Sequence, residues 1–135
     1  MIVTFDFDDT LTQTIAEWGE DGCLEDTHFA GPHPVFVQTL KACVSNGDEV
    51  HVVTSRSDKW LKDTLKHLEE FGVLKLLAGV HHTNGEWKAD WCLKNGINTD
   101  KHFDDDAEEI KQFNTKMPET VTIKVPMHHS WRGVE

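Results

Sequence analysis

The sequence lacks any apolar run long enough to cross a membrane. A membrane helix needs roughly 20 consecutive apolar residues, and no stretch of the 135-residue chain approaches that length. The N-terminus passes from Met1 through Ile2–Phe5 directly into acidic residues. It therefore lacks the basic start and longer apolar segment of a secretory signal. We expect a cytoplasmic protein with no membrane partner.

Cysteine is also scarce, and its placement excludes a disulfide framework and a zinc knuckle. The three cysteines, Cys23, Cys43 and Cys92, are odd in number and widely separated, so we interpret them as reduced thiols. The nine histidines include the pairs His81–His82 and His128–His129. Because adjacent residues of an extended segment point to opposite faces, we interpret these histidines as surface residues rather than metal ligands.

Basic residues are outnumbered by acidic ones. The sequence has 13 Lys and Arg against 24 Asp and Glu, which gives a formal net charge of −11. Such a charge repels nucleic acid at long range and favours bound divalent cations. Nucleic acid is thus disfavoured as a partner, unless Arg56, Lys59, Lys62 and Lys66 form a local basic rim.

Short apolar runs alternate with helical patterns along the chain. This alternation is typical of a parallel sheet covered by helices. Strands are predicted at Ile2–Phe5, Val50–Val53, Val73–Val80, His102–Phe103 and Val121–Val125, with helices from Pro34, from about Ser57, from about Glu86 and around Ala107–Phe113. We predict an α/β fold, a Rossmann-like three-layer sandwich with a mainly parallel five-stranded sheet, in a single domain spanning residues 1–135.

The stretch from Gln13 to His33 departs from this pattern. It is acidic and turn-rich, with five carboxylates around three glycines. We predict that it forms a mobile flap beside the first strand.

Side chains that can bind a cation or a phosphate follow the predicted strands. Ligands of open parallel sheets bind beyond the carboxyl ends of the strands. Asp6 and Asp8 follow the first strand and, two residues apart, lie on one side, where paired carboxylates bind a hard cation. The other groups at this edge are Thr54, Ser55 and Arg56 after the second strand, Asp104 and Asp105 after the fourth, and Lys88 at a helix start. This concentration of acid predicts bound Mg²⁺.

The motifs that these residues form resemble those of the haloacid dehalogenase superfamily. The motifs, in the family's order, are Asp6, Asp8 and Thr10, then Val52–Val53–Thr54, then Lys88, then Phe103–Asp104–Asp105. The matched positions run from Asp6 to Asp105, so the resemblance covers most of the chain. It implies a HAD-like fold. The segments after Thr12 and Val80 are too short for the cap domain that many members carry, which indicates a capless member.

The resemblance also implies a mechanism. Asp6 would attack phosphorus to form an aspartyl phosphate, and Asp8 would serve as general acid and then as general base. Mg²⁺ would be held by Asp6, by the backbone carbonyl of Asp8, and by Asp105 with or without Asp104. Thr54, Ser55 and Lys88 would bind the phosphate oxygens. The expected activity is hydrolysis of a phosphomonoester, because dehalogenases of the family replace much of the acidic metal site.

Other classes of protein share some of these features. A response-regulator receiver domain is also small, acidic and magnesium-binding, but it needs an aspartate ending the third strand, and the run from Leu76 to His82 has none. A catalytically idle binding protein on the same fold would not need intact Asp6 and Asp8. The receiver interpretation fails at that strand, and the intact Asp6 and Asp8 count against the idle protein, which remains the alternative from another class; turnover of an aryl phosphate separates them.

The substrate is less defined than the reaction. The segments Val-Val-Thr-Ser-Arg and Phe-Asp-Asp also resemble the phosphatase half of capless polynucleotide kinase-phosphatases, which makes a polynucleotide 3′-phosphatase the alternative. The net charge opposes a nucleic-acid substrate. We therefore rank a nucleotide or another small phosphomonoester, covered by the flap 13–33, ahead of it. The oligomeric state is not indicated by the sequence.

Overall fold

The computed structural model of the chain describes residues 1–18, 20 and 24–126. Seven strands and four helices lie in the described part of the chain. They are, in chain order, β1 (Ile2–Phe5), β2 (Thr12–Trp18), β3 (Leu24–Pro32), α1 (Pro34–Ser45), β4 (Glu49–Thr54), α2 (Leu61–Glu70), β5 (Gly79–His82), α3 (Lys88–Asn95), β6 (Lys101–Asp104), α4 (Ala107–Lys116) and β7 (Val121–Lys124).

Five of the strands form one parallel sheet in the order β5-β4-β1-β6-β7. β1 lies at the centre, where Phe5 is level with Val52 of β4 and with Phe103 of β6. Because the strands are parallel and in register, Asp6, Thr54 and Asp104 reach the same edge of the sheet.

Helices cover both faces of this sheet. Alternate residues of a strand point to opposite faces, so Val52 packs with Leu40 of α1 and Leu68 of α2. Its neighbour Val53 packs with Ala89 of α3 and with Phe113 of α4. The predicted three-layer α/β fold with a five-stranded parallel sheet is confirmed, and the described residues include no separate cap domain.

The predicted third strand, Val73–Val80, is wrong in its bounds. The strand is β5, which begins only at Gly79, and a short 3₁₀ turn occupies Leu74–Leu76. Leu74 and Leu77 still pack against the core. An apolar run reports burial, and composition alone does not distinguish a buried strand from a buried turn.

The segment from Gln13 to His33, predicted to form a flap beside the first strand, contains two strands that the sequence pattern did not predict. β2 and β3 pair antiparallel in a separate two-stranded sheet, with Ile15 opposite His28. The pairing is closed at its base by the backbone N–H of His33, which donates to the carbonyl of Leu11 at 2.8 Å. The hairpin therefore starts directly from the loop that carries Asp6 and Asp8.

The histidines were interpreted as surface residues, yet four of those described are buried. They are His33, His51, His82 and His102. His128 and His129 lie outside the described residues. Cys43 and Cys92 are free thiols, as expected, while Cys23 is outside the described residues.

In the described part of the chain, every helix is too short or too polar to cross a membrane.

Candidate active site

The loop after β1 is a tight turn that presents two carboxylates. The backbone N–H of Asp6 donates to the carbonyl of Phe103 at 2.9 Å and so continues the pairing with β6. The carbonyl of Phe7 then accepts from the amides of Thr10, Leu11 and Thr12. Asp9 has a left-handed φ of 62°, a conformation that aspartate tolerates better than most residues. The reversal leaves Asp6 and Asp8 each only 5% exposed.

Lys88 lies between the carboxylates of Asp6 and Asp104. Its Nζ is 2.7 Å from Asp6 Oδ1 and 2.8 Å from Asp104 Oδ2, and the residue is 2% exposed. The hydroxyl of Thr10 donates to the other oxygen of Asp6 at 3.2 Å. Lys94, the other lysine of the same helix, is exposed and pairs with Glu86. The structure therefore places Lys88, and not Lys94, at the acidic edge.

Three carboxylates converge around this lysine. One oxygen from each of Asp6, Asp104 and Asp105 lies within 4.8 Å of the others. Burial and the charge of Asp104 raise the pKa of Asp6 well above its ordinary value. Burial likewise raises the pKa of Asp105 to about 6. The protein alone thus holds more negative charge here than its own cation compensates.

Asp104 differs from the other two carboxyl groups in that its pKa is lowered. Burial alone would raise its pKa, but Lys88 and the ring of His102 outweigh it and hold the pKa of Asp104 below its ordinary value. His102 Nε2 lies 2.8 Å from Asp104 Oδ2, and its Nδ1 lies 2.7 Å from Thr4 Oγ1. Burial also opposes the charge on Lys88, yet Asp104 and Asp6 raise the pKa of that lysine well above its ordinary value. The pair is ionic.

The donor set fits Mg²⁺. Hard cations take oxygen ligands, and carboxylates supply most of them in proteins. Three such groups, with the pKa of two raised by burial and mutual repulsion, are the arrangement that a bound divalent cation stabilises. Asp6, Asp104 and Asp105 are therefore the residues that would hold the ion.

The side chain of Asp8 is not in this acidic group and faces Arg56 instead. Arg56 Nη2 is 2.7 Å from Asp8 Oδ1, and Nε is 2.8 Å from Asp8 Oδ2. Arg56 is 1% exposed. A buried guanidinium that makes two hydrogen bonds to Asp8 does not contribute to a basic rim on the surface. Arg56 is therefore not part of the rim considered from the sequence.

Thr54 and Ser55 follow β4 at the same edge. Thr54 is buried, and its Oγ1 accepts from the backbone N–H of Arg56 at 3.3 Å. Ser55 donates to Glu109 Oε2 at 3.1 Å, and Glu109 Oε1 accepts from the backbone N–H of Lys88 at 3.0 Å. Glu109 thus links the segment after β4 to the first residue of α3.

Sequence reasoning missed two of these partners. His102 precedes Asp104 by two residues on β6, so strand periodicity was a usable signal that both share a face. The ion pair between Arg56 and Asp8 had no such signal, because the two residues are 48 positions apart.

Comparison with known proteins gives fold relatives but no sequence relatives. No family model and no curated protein matches the sequence. The fold is similar to the N-terminal part of the protein BF1531 from Bacteroides fragilis, which contains a phosphatase domain and was crystallised with Mg, with a TM-score of 0.62 and 18% identity. It is also similar to a chain of the Pnkp1/Rnl/Hen1 complex, with a TM-score of 0.62 and 13% identity.

These two similarities span 93% of this chain but only 36% and 45% of the respective neighbours. This chain thus spans less than half the length of either solved chain. At these identities the likeness establishes a shared α/β fold.

Proposed function

We propose that the protein is a Mg²⁺-dependent phosphatase of the haloacid dehalogenase type that hydrolyses small phosphomonoesters through an aspartyl phosphate on Asp6. The observation that carries the proposal is the convergence of three carboxylates and Lys88 at the carboxyl edge of the sheet. The fold likeness to a Mg-bound phosphatase domain supports it.

The first half-reaction uses Asp6 as the nucleophile. Its carboxylate is held by Lys88 on one oxygen and by Thr10 on the other, so its orientation is fixed before the substrate binds. The Asp6 oxygen forms a bond to phosphorus, the bond from phosphorus to the ester oxygen breaks, and that oxygen takes a proton from Asp8. When bound, Mg²⁺ supplies charge neutralisation for the phosphate and the surrounding carboxylates.

The second half-reaction regenerates the carboxylate. Water gives a proton to Asp8 and its oxygen bonds to phosphorus, while the bond between phosphorus and Asp6 breaks. Lys88 would then stabilise negative charge on the transferring oxygens, and Thr54 and Ser55 would orient them through their hydroxyls. The net reaction consumes one water and releases an alcohol and inorganic phosphate.

Charge favours a small substrate. The arginine considered for a basic rim is buried against Asp8, which leaves the exposed side chains of Lys59, Lys62 and Lys66. With a net charge of −11, three lysines give weak attraction for a polyanion. We therefore place a nucleotide or another small phosphomonoester first, with the hairpin of β2 and β3 covering the site within one catalytic domain.

A polynucleotide 3′-phosphatase is the second candidate. The fold likeness to a chain of the Pnkp1/Rnl/Hen1 complex favours it. The two candidates share the chemistry of Asp6 and differ in how the rest of the substrate is bound.

The proposal is tested by assaying the purified protein with aryl and alkyl phosphomonoesters in Mg²⁺ and in excess chelator. We expect turnover only with Mg²⁺, and a loss of about 10³-fold or more in Asp6→Asn, because an amide does not form an acyl phosphate. The matched control is Asp106→Asn, since Asp106 is a neighbouring exposed carboxylate that caps α4 through the N–H of Glu108. Its turnover should stay near that of the wild type.

Two results would contradict the proposal. Full activity in chelator would exclude the metal, and normal turnover in Asp6→Asn would exclude the nucleophile. A folded protein that binds phosphate esters without hydrolysing them would instead identify an idle binding protein.

A further inference from the structure

The buried pair of Asp8 and Arg56 is separate from the acidic group around Lys88. Both oxygens of Asp8 are bonded by one guanidinium, at 2.7 and 2.8 Å, and the two side chains are 5% and 1% exposed. A two-point fork of this kind fixes the plane of a carboxylate, whereas a single ammonium contact does not.

Arg56 is itself held rigidly. Its Nη1 donates to Asp63 Oδ2 at 3.1 Å and to Thr64 Oγ1 at 3.2 Å. The guanidinium carbon lies 4.7 Å from the centre of the Phe7 ring and 5.8 Å from that of Trp60. Bonds in the plane and aromatic rings against the guanidinium leave it little freedom to turn.

These contacts leave Arg56 little capacity to bind a substrate. A guanidinium has five N–H donors. Two bonds to Asp8, one to Asp63 and one to Thr64 account for four of them. A phosphate clamp needs two free parallel donors, and the guanidinium has at most one to offer.

We propose that Arg56 is a positioning residue that orients the carboxyl group of Asp8 for proton transfer. This inference rests on the proposed function. Proton transfer depends steeply on the direction of the donor and acceptor. Each oxygen of Asp8 keeps a second lone-pair direction outside the fork, and the fixed plane sets where that direction points.

The substrate's leaving group reports on this role. A basic alkoxide departs only with a proton, whereas a nitrophenolate departs without one. Misplacing Asp8 should therefore lower kcat/KM for alkyl phosphomonoesters much more than for p-nitrophenyl phosphate. The ratio kcat/KM covers only the steps up to departure of the leaving group, so it omits the hydrolysis of the aspartyl phosphate that both substrates share. A defect in folding or in phosphate binding would slow both alike.

The experiment compares wild type with Arg56→Lys on glycerol phosphate and p-nitrophenyl phosphate in Mg²⁺. We expect kcat/KM for glycerol phosphate to fall about 10- to 100-fold and kcat/KM for p-nitrophenyl phosphate to fall less than about threefold. The matched control is Asp90→Asn, which removes the carboxylate partner of Lys116 and no contact of Arg56 or Asp8. It should leave the ratio of the two activities unchanged.

Equal losses of kcat/KM on the two substrates would overturn the inference while leaving the proposed function standing. A wild-type protein inactive on both substrates would remove the proposed function and this inference with it.

A second measurement does not require the Arg56 variant to fold. The sequence has two arginines, Arg56 and Arg132, so the Arg132→Lys variant leaves a single arginine Nε–H signal in the ¹⁵N spectrum. We expect this proton to exchange slowly with solvent, and to exchange faster or shift when Asp8→Asn is added. Exchange at the rate of free arginine would overturn the pairing.

Discussion

At the scale of single residues, Lys88 supplies the charge that makes the acidic edge tolerable. It is almost fully buried between Asp6 and Asp104. Removing one partner of a buried ion pair leaves an uncompensated charge and is strongly destabilising. A divalent cation at the same carboxylates would supply the missing charge.

Lys88→Met should therefore lower the free energy of unfolding by about 3–5 kcal/mol in chelator, and added Mg²⁺ should stabilise this variant more than the wild type. Urea unfolding with and without Mg²⁺ measures both effects. Lys94→Met, on the exposed end of the same helix, is the control and should change stability by less than about 0.5 kcal/mol. Equal stabilisation of wild type and Lys88→Met by Mg²⁺ would show that the lysine and the cation do not share a site.

At the scale of elements, the edge strand β5 is joined to β4 by a pair of histidines. His51 Nδ1 lies 2.9 Å from His81 Nε2, and His51 Nε2 lies 2.7 Å from Glu49 Oε2. The ring of His81 lies over Gly79, where an added Cβ would come within 2.6 Å of its Nε2. Trp91 of α3 also packs against the ring of His81, with the ring centres 4.8 Å apart. The hydrogen bond between His51 and His81 needs one ring nitrogen as an acceptor, so it is lost when both rings are protonated.

Burial and the neighbouring His51 lower the pKa of His81. The folded protein then binds fewer protons at His81 than the unfolded chain does. The contribution of the neutral His81 ring to the free energy of unfolding is therefore complete above the ordinary histidine pKa of about 6.5. It is lost as the pH falls from there through the folded-state value. The free energy of unfolding should drop with pH by at most about 1.4 kcal/mol per pH unit for this one proton.

Denaturant unfolding of wild type and His81→Gln between pH 7.5 and 5 tests this expectation. Asp6 and Asp105, whose pKa values burial raises, act in the opposite direction, and the buried rings of His82 and His102, with lowered pKa values, act in the same direction. The difference between the two proteins isolates His81. Parallel pH profiles would contradict the assignment.

At the scale of the whole molecule, the net charge distinguishes the two proposed substrate classes. A charge of −11 repels an oligonucleotide, and salt screens that repulsion. A cationic nucleic-acid enzyme behaves in the opposite way, since salt weakens its binding steeply.

We expect kcat/KM for a 3′-phosphorylated oligonucleotide to be lower than for a 3′-mononucleotide and to stay level or rise as salt is raised from about 50 to 200 mM. A nucleic-acid enzyme with several phosphate contacts would lose about 10³-fold or more over that range. An oligonucleotide preference that weakens steeply with salt would establish the second candidate function.

Local sequence predicted most of the elements because their signals are local. The run Ile2–Phe5 is β1 to the residue, and Pro34 begins α1, since proline suits the first turn of a helix. The hairpin was missed because its two strands are stabilised by pairing with each other rather than by an apolar pattern within either one.

The sequence by itself placed Asp6, Thr54 and Asp104 at the carboxyl ends of their strands, and therefore at one edge of a parallel sheet. The tertiary structure alone decided their partners. Lys88 meets Asp6 across 82 positions, and Arg56 meets Asp8 across 48. Whether a charged side chain turns inward depends on the charges that packing brings to it from distant segments, and no local pattern encodes those distances.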